Sequence, residues 1–370
     1  MDADDGTSTV GGRNPGFAAA ATTDWLAGDG SGPSGFAAGD SFADVPLRRD
    51  GPALLARFAE PATTEPASIA VVSDVHLSTR ETGSWKVFHR TETLLRRAVA
   101  DLNDHDVDLV VFTGDLTENG ATADFELVSD VLGELDHEFV AVPGNHDVPK
   151  TFDEHAVPPL SRFEREYTPG GFPFTVEAGG VSILGLNTAH APDGSLDDTH
   201  EGTVSPDQRA WLADELPRHD APLVVGHHNL PGLLDATGGH SWRGSFPMRD
   251  PGPFADVLAG GGAPLYLSGH LHVPAVAATA GVRELVSPAV CSFPQAYLVL
   301  EVGPAGTSVW HVPVATRADA TEALDLAHAY SERSRMVAGI VRRQTGAYPL
   351  VDELAPADEP GSPAATGECD

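Results

Sequence analysis

The chain has 370 residues, with 54 Asp+Glu against 22 Lys+Arg and a formal net charge of −32. Such a surplus repels polyanions at long range and disfavours broad affinity for DNA or anionic lipid, while leaving room for a metal-bridged contact with one phosphate. Two cysteines, Cys291 and Cys369, are too few for a disulfide framework, and 41% apolar residues suffice for a sizeable core.

Two of the basic residues are lysines, Lys86 and Lys150; the rest are arginines. Codon bias in a GC-rich genome favours Ala, Gly, Arg and Asp, but it does not by itself make the charge so one-sided. Lysine depletion with excess acid resembles halophilic archaeal proteins, where multimolar salt shortens the Debye length to about 3 Å or less and screens the self-repulsion. The chain opens Met-Asp-Ala-Asp-Asp, without the positive start of a signal peptide. Arg48-Arg49 precedes Asp50, Gly51 and Pro52 rather than an apolar run, so it is not read as a twin-arginine signal. No stretch approaches 18 apolar residues, and the expected location is the cytoplasm, away from any membrane.

In chain order, residues 1–65 read as a flexible acidic arm rich in Gly, Pro and Ser, though Val45 to Phe58 has apolar character. A main domain is expected over 66–315. Its strand runs are Ser68–Ser73, Asp108–Phe112, Glu138–Val142, Val181–Leu186, Pro222–Val225, Pro264–Leu267, Glu284–Val286 and Tyr297–Val302. Helices are expected over Trp85–Leu102, Ala123–Leu135 and Ser205–Leu216, the last with Ser as cap and Pro in its first turn. This alternation argues an α/β domain with parallel strands, and the closer later strands argue a second, partly antiparallel sheet. Residues 316–348 read as a C-terminal helix, centred on Ala323–Val341, and 349–370 as a disordered acidic tail.

Five polar clusters follow strand runs, where open α/β sheets bind ligands. They are Asp74-Val75-His76, Thr113-Gly114-Asp115, Pro143-Gly144-Asn145-His146-Asp147, Gly226-His227-His228 and Gly269-His270-Leu271-His272. Alone, each also reads as an ordinary strand end, turn or patch of surface polarity. Residues i and i+2 of an extended chain share a side, so Asp74 with His76, and His270 with His272, can reach one ion. A carboxylate such as Asp115 can bridge two cations, and Asn145 offers a neutral oxygen. Independent turns would not fall into this order by chance. The donors are oxygen and nitrogen without thiolate, which suits two divalent ions such as Mn, Fe, Zn, Mg or Co.

The set resembles the calcineurin-like metallophosphoesterase superfamily over roughly Ser68 to His311. Gly-Asn-His-Asp, Gly185-Leu-Asn-Thr188 and the helix bearing Gln208-Arg-Ala-Trp211 look most like its class III cyclic nucleotide phosphodiesterases. The fourth motif departs from that subgroup: His227-His228-Asn229-Leu230-Pro231 stands where His-His-Pro-Pro is usual. The resemblance implies a four-layer α/β/β/α sandwich of two mixed sheets. It implies that Asp74, His76 and His272 hold one metal, that Asn145, His227 and His270 hold the other, and that Asp115 bridges both. It further implies hydrolysis of a small-molecule phosphodiester, such as a cyclic nucleotide, by attack of a metal-bridging hydroxide. His146 would be the catalytic residue, as proton donor or charge stabiliser at the leaving oxygen. Asp147 either orients His146 or caps the turn, and His228 lies behind the centre or at the surface. Arg80, Trp85, Lys86, His89 and Arg90 could contact substrate or simply begin a helix, and a loop with His240, Ser241, Trp242 and Arg243 could cover the site. A nuclease or phosphomonoesterase of the same superfamily is the nearest alternative, and a non-catalytic scaffold a more distant one; the charge argues against a nucleic-acid partner.

Overall fold

Two mixed β-sheets stack face to face in a computed structural model that describes residues 51–150, 153, 155–190, 200–238 and 248–355. In chain order the elements are β1 (Ala53–Phe58), β2 (Ala67–Val72), α1 (Thr91–Asn103), β3 (Leu109–Phe112), α2 (Thr122–Leu132), β4 (Phe139–Ala141), α3 (Leu160–Tyr167), β5 (Phe174–Ala178) and β6 (Val181–Gly185). There follow α4 (Pro206–Glu215), β7 (Pro222–Val225), α5 (Gly232–Ala236), α6 (Gly252–Gly260), β8 (Leu265–Ser268), β9 (Ala275–Thr279), β10 (Val282–Val286), β11 (Ala296–Gly303), β12 (Gly306–Pro313), α7 (Arg317–Tyr330), α8 (Glu332–Gly346) and β13 (Val351–Asp352). The first sheet has the order β13-β1-β12-β11-β2-β3-β4 and the second β5-β6-β7-β8-β10-β9.

The unbroken apolar runs explain the layering. In β2, Ile69 and Val71 pack between the sheets with Leu223, Val225, Leu265 and Leu267, while Ala70 and Val72 pack outward on Leu94, Leu95 and Ala98 of α1. In β7, Val224 faces outward to Leu212 of α4 and Phe254 of α6. Helices therefore cover both outer faces, giving four layers. β2, β3 and β4 are parallel, as are β6, β7, β8 and β10, and the loops after β2, β3, β4, β7 and β8 meet at one rim.

Some elements differ from expectation. Tyr297–Val302 does not extend the second sheet. It lies in β11, antiparallel to β2, and forms a hairpin with β12 in the first sheet. Residues 53–58 of the expected flexible arm form β1, paired antiparallel with β12, with Ala53, Leu55, Ala56 and Phe58 wholly buried. The start of the expected tail also docks: β13 runs parallel to β1, and Leu350 N–H donates to Leu55 O at 2.7 Å. The rest of the arm (1–50) and tail (356–370), with Cys369, lie outside the described residues. The helix expected from Trp85 begins only at Thr91, because Val87 adopts a left-handed φ of 48° ahead of a single 3-10 turn. The single C-terminal helix is two. Ser331, extended at φ −158°, caps α8: its Oγ accepts from Ser334 N–H, and its own N–H donates to Ser334 Oγ, both at 3.0 Å.

Candidate metal centre

Asp74 and His76 follow β2, Asp115 follows β3, Asn145 and His146 follow β4, His227 follows β7, and His270 and His272 follow β8. Left-handed backbone aims most of them. Among the described residues ten non-glycine residues have positive φ, and five of these are Asp74 (51°), His76 (45°), Asp115 (53°), His270 (70°) and His272 (58°). Each such residue costs about 1–3 kcal/mol and persists only where its surroundings over-determine it. Here backbone bonds do so: Asp74 N–H donates to Gly114 O at 3.0 Å, His76 N–H to Asp115 O at 2.9 Å, and Cys291 N–H to Asp74 O at 3.1 Å. Gly114, at φ 98°, has no room for a side chain, since a Cβ would sit 2.5 Å from His227 Nδ1.

The donor atoms converge in two groups that share Asp115. Asp115 Oδ2 lies 3.3 Å from both His76 Nε2 and His227 Nε2. On one side His76 Nε2 is 3.2 Å from His272 Nε2, which is 3.3 Å from Asp74 Oδ1. On the other, His270 Nδ1 is 3.3 Å from His227 Nε2. Bonds of about 2.1 Å to a divalent ion give donor–donor edges of about 3.0 Å in an octahedron and 3.4 Å in a tetrahedron, so the spacing fits. Asn145 is buried at the edge of the second group, its Nδ2 3.3 Å from His200 Nδ1.

Outer contacts fix which ring nitrogen faces inward. His76 Nδ1 meets Glu118 Oε2 at 2.9 Å, His272 Nδ1 meets Ser292 Oγ at 2.8 Å, and His227 Nδ1 meets the Thr113 carbonyl at 2.8 Å, leaving each Nε2 for an ion. Burial opposes the charged forms of Asp74 and Asp115. The imidazoles around them, His272 foremost for Asp74 and His227 for Asp115, outweigh it and hold both carboxyls well below the usual range. Burial opposes the charge on His227 too, yet Asp115 raises it to about 9, so a cation entering there displaces a proton. His146 donates its backbone N–H to Asp115 Oδ1 at 2.9 Å, and its Nδ1 touches the Glu118 carbonyl. Burial, then the Lys86 ammonium, pushes its imidazole down to about 3.

Two open readings are settled. Asp147 caps turns: it accepts from the N–H groups of Gly144, Leu116 and Thr117 and from the Thr117 hydroxyl. His228 is fully buried, with Nδ1 2.8 Å from Thr188 Oγ1 and its ring 4.7 Å from that of His270. Glu118, Ser292 and His200 had no signal in the sequence, since none belongs to a spaced motif. A cleft of about 250 Å³ opens on the centre, with Trp85, Lys86 and Leu271 beside it and Arg333 and Val337 reaching in from α8. Trp85 lies against His272, ring centres 5.0 Å apart. Of the other loop residues considered, His89 and Arg90 pair instead with Glu322 of α7. His240, Ser241, Trp242 and Arg243 lie outside the described residues.

A family model described as calcineurin-like phosphoesterase matches residues 67–274, more than half of the chain. A protein of Rhodococcus erythropolis named "Probable cyclic nucleotide phosphodiesterase" is 29% identical over 259 residues, covering 68% of this chain and 75% of that one. The Escherichia coli K12 protein named "3',5'-cyclic adenosine monophosphate phosphodiesterase CpdA" is 24% identical over 237 residues, 60% of this chain and 76% of its own. A solved dimetal phosphatase from Danio rerio shares the fold, with a TM-score of 0.52 at 13% identity over 67% of this chain and 99% of that one.

Proposed function

The chain belongs to the calcineurin-like phosphoesterase family, and from that premise we propose that it hydrolyses a phosphodiester, a cyclic nucleotide foremost, at a centre of two divalent cations. One observation carries the reading: Asp115 Oδ2 stands 3.3 Å from imidazoles of two separate donor groups, where a single carboxylate can serve both. In this reading Asp74, His76, Asp115 and His272 hold one cation, and Asp115, Asn145, His227 and His270 hold the other. When bound, Mn, Fe, Zn, Mg or Co would supply Lewis-acid polarisation of the phosphoryl oxygens and lower the pKa of water for in-line attack. Glu118, Ser292 and the Thr113 carbonyl keep the imidazoles turned inward. His146 faces the leaving oxygen from the cleft, and the buried walls limit competing water.

The intact donor set argues against a non-catalytic scaffold, and the net charge of −32 argues against a nuclease. A phosphomonoesterase remains the nearest competitor. The test is one panel with Mn: cyclic nucleotides, an aryl phosphodiester, an aryl phosphomonoester and single-stranded DNA. Diesters should turn over fastest; a preference for the monoester or for DNA would displace the reading.

The surplus of acid, with lysine nearly absent, also supports a cytoplasm of high salt as the working environment. No helix among the described residues is long and apolar enough to cross a membrane.

A further inference from the structure

Both lysines of this lysine-poor chain lie at the candidate centre. Lys150, its side chain 6% exposed, donates to the carbonyls of Asn145 at 3.1 Å and Val148 at 3.0 Å, and so braces the loop that carries Asn145 and His146. Lys86, its side chain 13% exposed, lines the cleft itself. The other cationic side chains of the chain are arginines, so something at these two places suits an ammonium better than a guanidinium. The two differ in shape: an ammonium is a compact point charge with three donors, whereas a guanidinium is a planar fork.

The hydrogens around Lys86 can be assigned by elimination. His76 Nδ1 lies 2.9 Å from the Glu118 carboxylate, so that nitrogen carries a hydrogen and cannot accept one from Lys86 Nζ, 3.3 Å away. His146 Nδ1 meets the Glu118 backbone carbonyl, which only accepts, so Nδ1 carries a hydrogen and Nε2 is the ring nitrogen that can accept. Among the described residues Lys86 Nζ therefore has at most two acceptors, Glu118 Oε2 at 3.2 Å and His146 Nε2 at 3.5 Å, for three N–H groups. The third N–H remains for a ligand in the cleft. The stem is held rigidly for this: Lys86 sits between Ser84 (φ 65°) and Val87 (φ 48°), with Val87 fully buried and Trp85 against His272. The Lys86 ammonium and the His146 ring therefore stand side by side at the cleft.

Resting on the phosphodiesterase reading above, we propose that Lys86 is a catalytic residue whose ammonium contacts the leaving oxygen of the substrate and stabilises the negative charge that develops there as the P–O bond breaks. Orienting His146 and pairing with Glu118 keep that charge in place.

The test compares Lys86→Met and Lys86→Arg with the native chain at saturating metal, on a p-nitrophenyl diester and on a cyclic nucleotide, with bound metal measured by elemental analysis. Lys86→Met should keep its metal and lose about 10²–10³-fold in kcat on the cyclic nucleotide, whose leaving group is an alkoxide, with a much smaller loss on the nitrophenyl ester. Lys86→Arg should recover part of that loss. Equal losses on both substrates, or activity within about twofold of native, would overturn the assignment and leave the phosphodiesterase reading standing. A native chain inactive on both would instead remove that reading. A direct probe covers the case in which Lys86→Met fails to fold. Lysine labelled with ¹³C at Cε and ¹⁵N at Nζ gives two side-chain signals in the native protein, and the one missing in Lys86→Arg belongs to Lys86. Orthovanadate added to the zinc-loaded protein should shift that signal, and an unmoved signal contradicts the contact.

Discussion

The Asp147 carboxylate accepts two hydrogen bonds from Thr117, from its N–H at 2.9 Å and its hydroxyl at 3.0 Å, tying the loop after β4 to the loop after β3. It also accepts from Gly144 N–H and Leu116 N–H, at 3.0 and 3.1 Å. This buried carboxylate thus fixes the distance between Asp115 and Asn145 without reaching the cleft. Asp147→Ala leaves three buried backbone donors without their acceptor, at about 1–3 kcal/mol each. The variant should unfold at markedly lower denaturant and bind metal about 10–100-fold more weakly. A metal titration indistinguishable from native would show that the two loops hold their spacing without it.

His146 borders the donor groups but is assigned to neither. His146→Ala should keep its metal and lose about 10²–10⁴-fold in turnover, with the loss shrinking for a nitrophenolate leaving group. Elemental analysis showing lost metal would place His146 among the ligands.

Glu284 makes stability fall as pH rises. It is fully buried beneath the loop after β7, where its carboxylate accepts from Leu230 N–H, Asn229 Nδ2 and Ser268 Oγ. Burial raises it from 4.5 to about 7, so the folded chain holds a proton that the unfolded chain releases. Its penalty is absent below the unfolded value and grows as pH climbs to the folded one, reaching on the order of 3 kcal/mol. In chelator, the native chain should lose more stability between pH 5 and pH 8 than Glu284→Gln does. Parallel pH profiles from denaturant melts would contradict this.

With 54 acids against 22 bases, self-repulsion should weaken the fold in dilute buffer. The melting temperature should rise between about 0.1 M and 3 M KCl. A flat profile would set aside the high-salt environment and leave the enzymatic reading untouched.

The strand runs and the donor clusters behind them were legible because both are short-range patterns: buried apolar runs, then Gly, Asp and His. The geometry that joins them was not. Pleat alternation suggested that Asp74 and His76 share a side, yet both residues are left-handed, and their backbone N–H bonds to the carbonyls of Gly114 and Asp115 make them converge. Glu118 and Ser292 are invisible in sequence because they act through contacts with side chains well separated from them in the chain. Lys86 was visible only as one candidate among five neighbours, and its significance depends on the Glu118 and His146 atoms around it. β1 was missed because its pairing partner, β12, lies some 250 residues away.

Replacing Asp115 tests the shared centre most directly. Chelator-stripped native protein, Asp74→Ala and Asp115→Ala would each be titrated with zinc and their bound metal counted. The account predicts about two ions per native chain and a nearly inactive Asp115→Ala that holds neither ion tightly, because one carboxylate serves both groups. Asp74→Ala should keep the ion on the His227 and His270 side. Full metal occupancy and phosphodiesterase activity in Asp115→Ala would contradict a centre bridged by that residue.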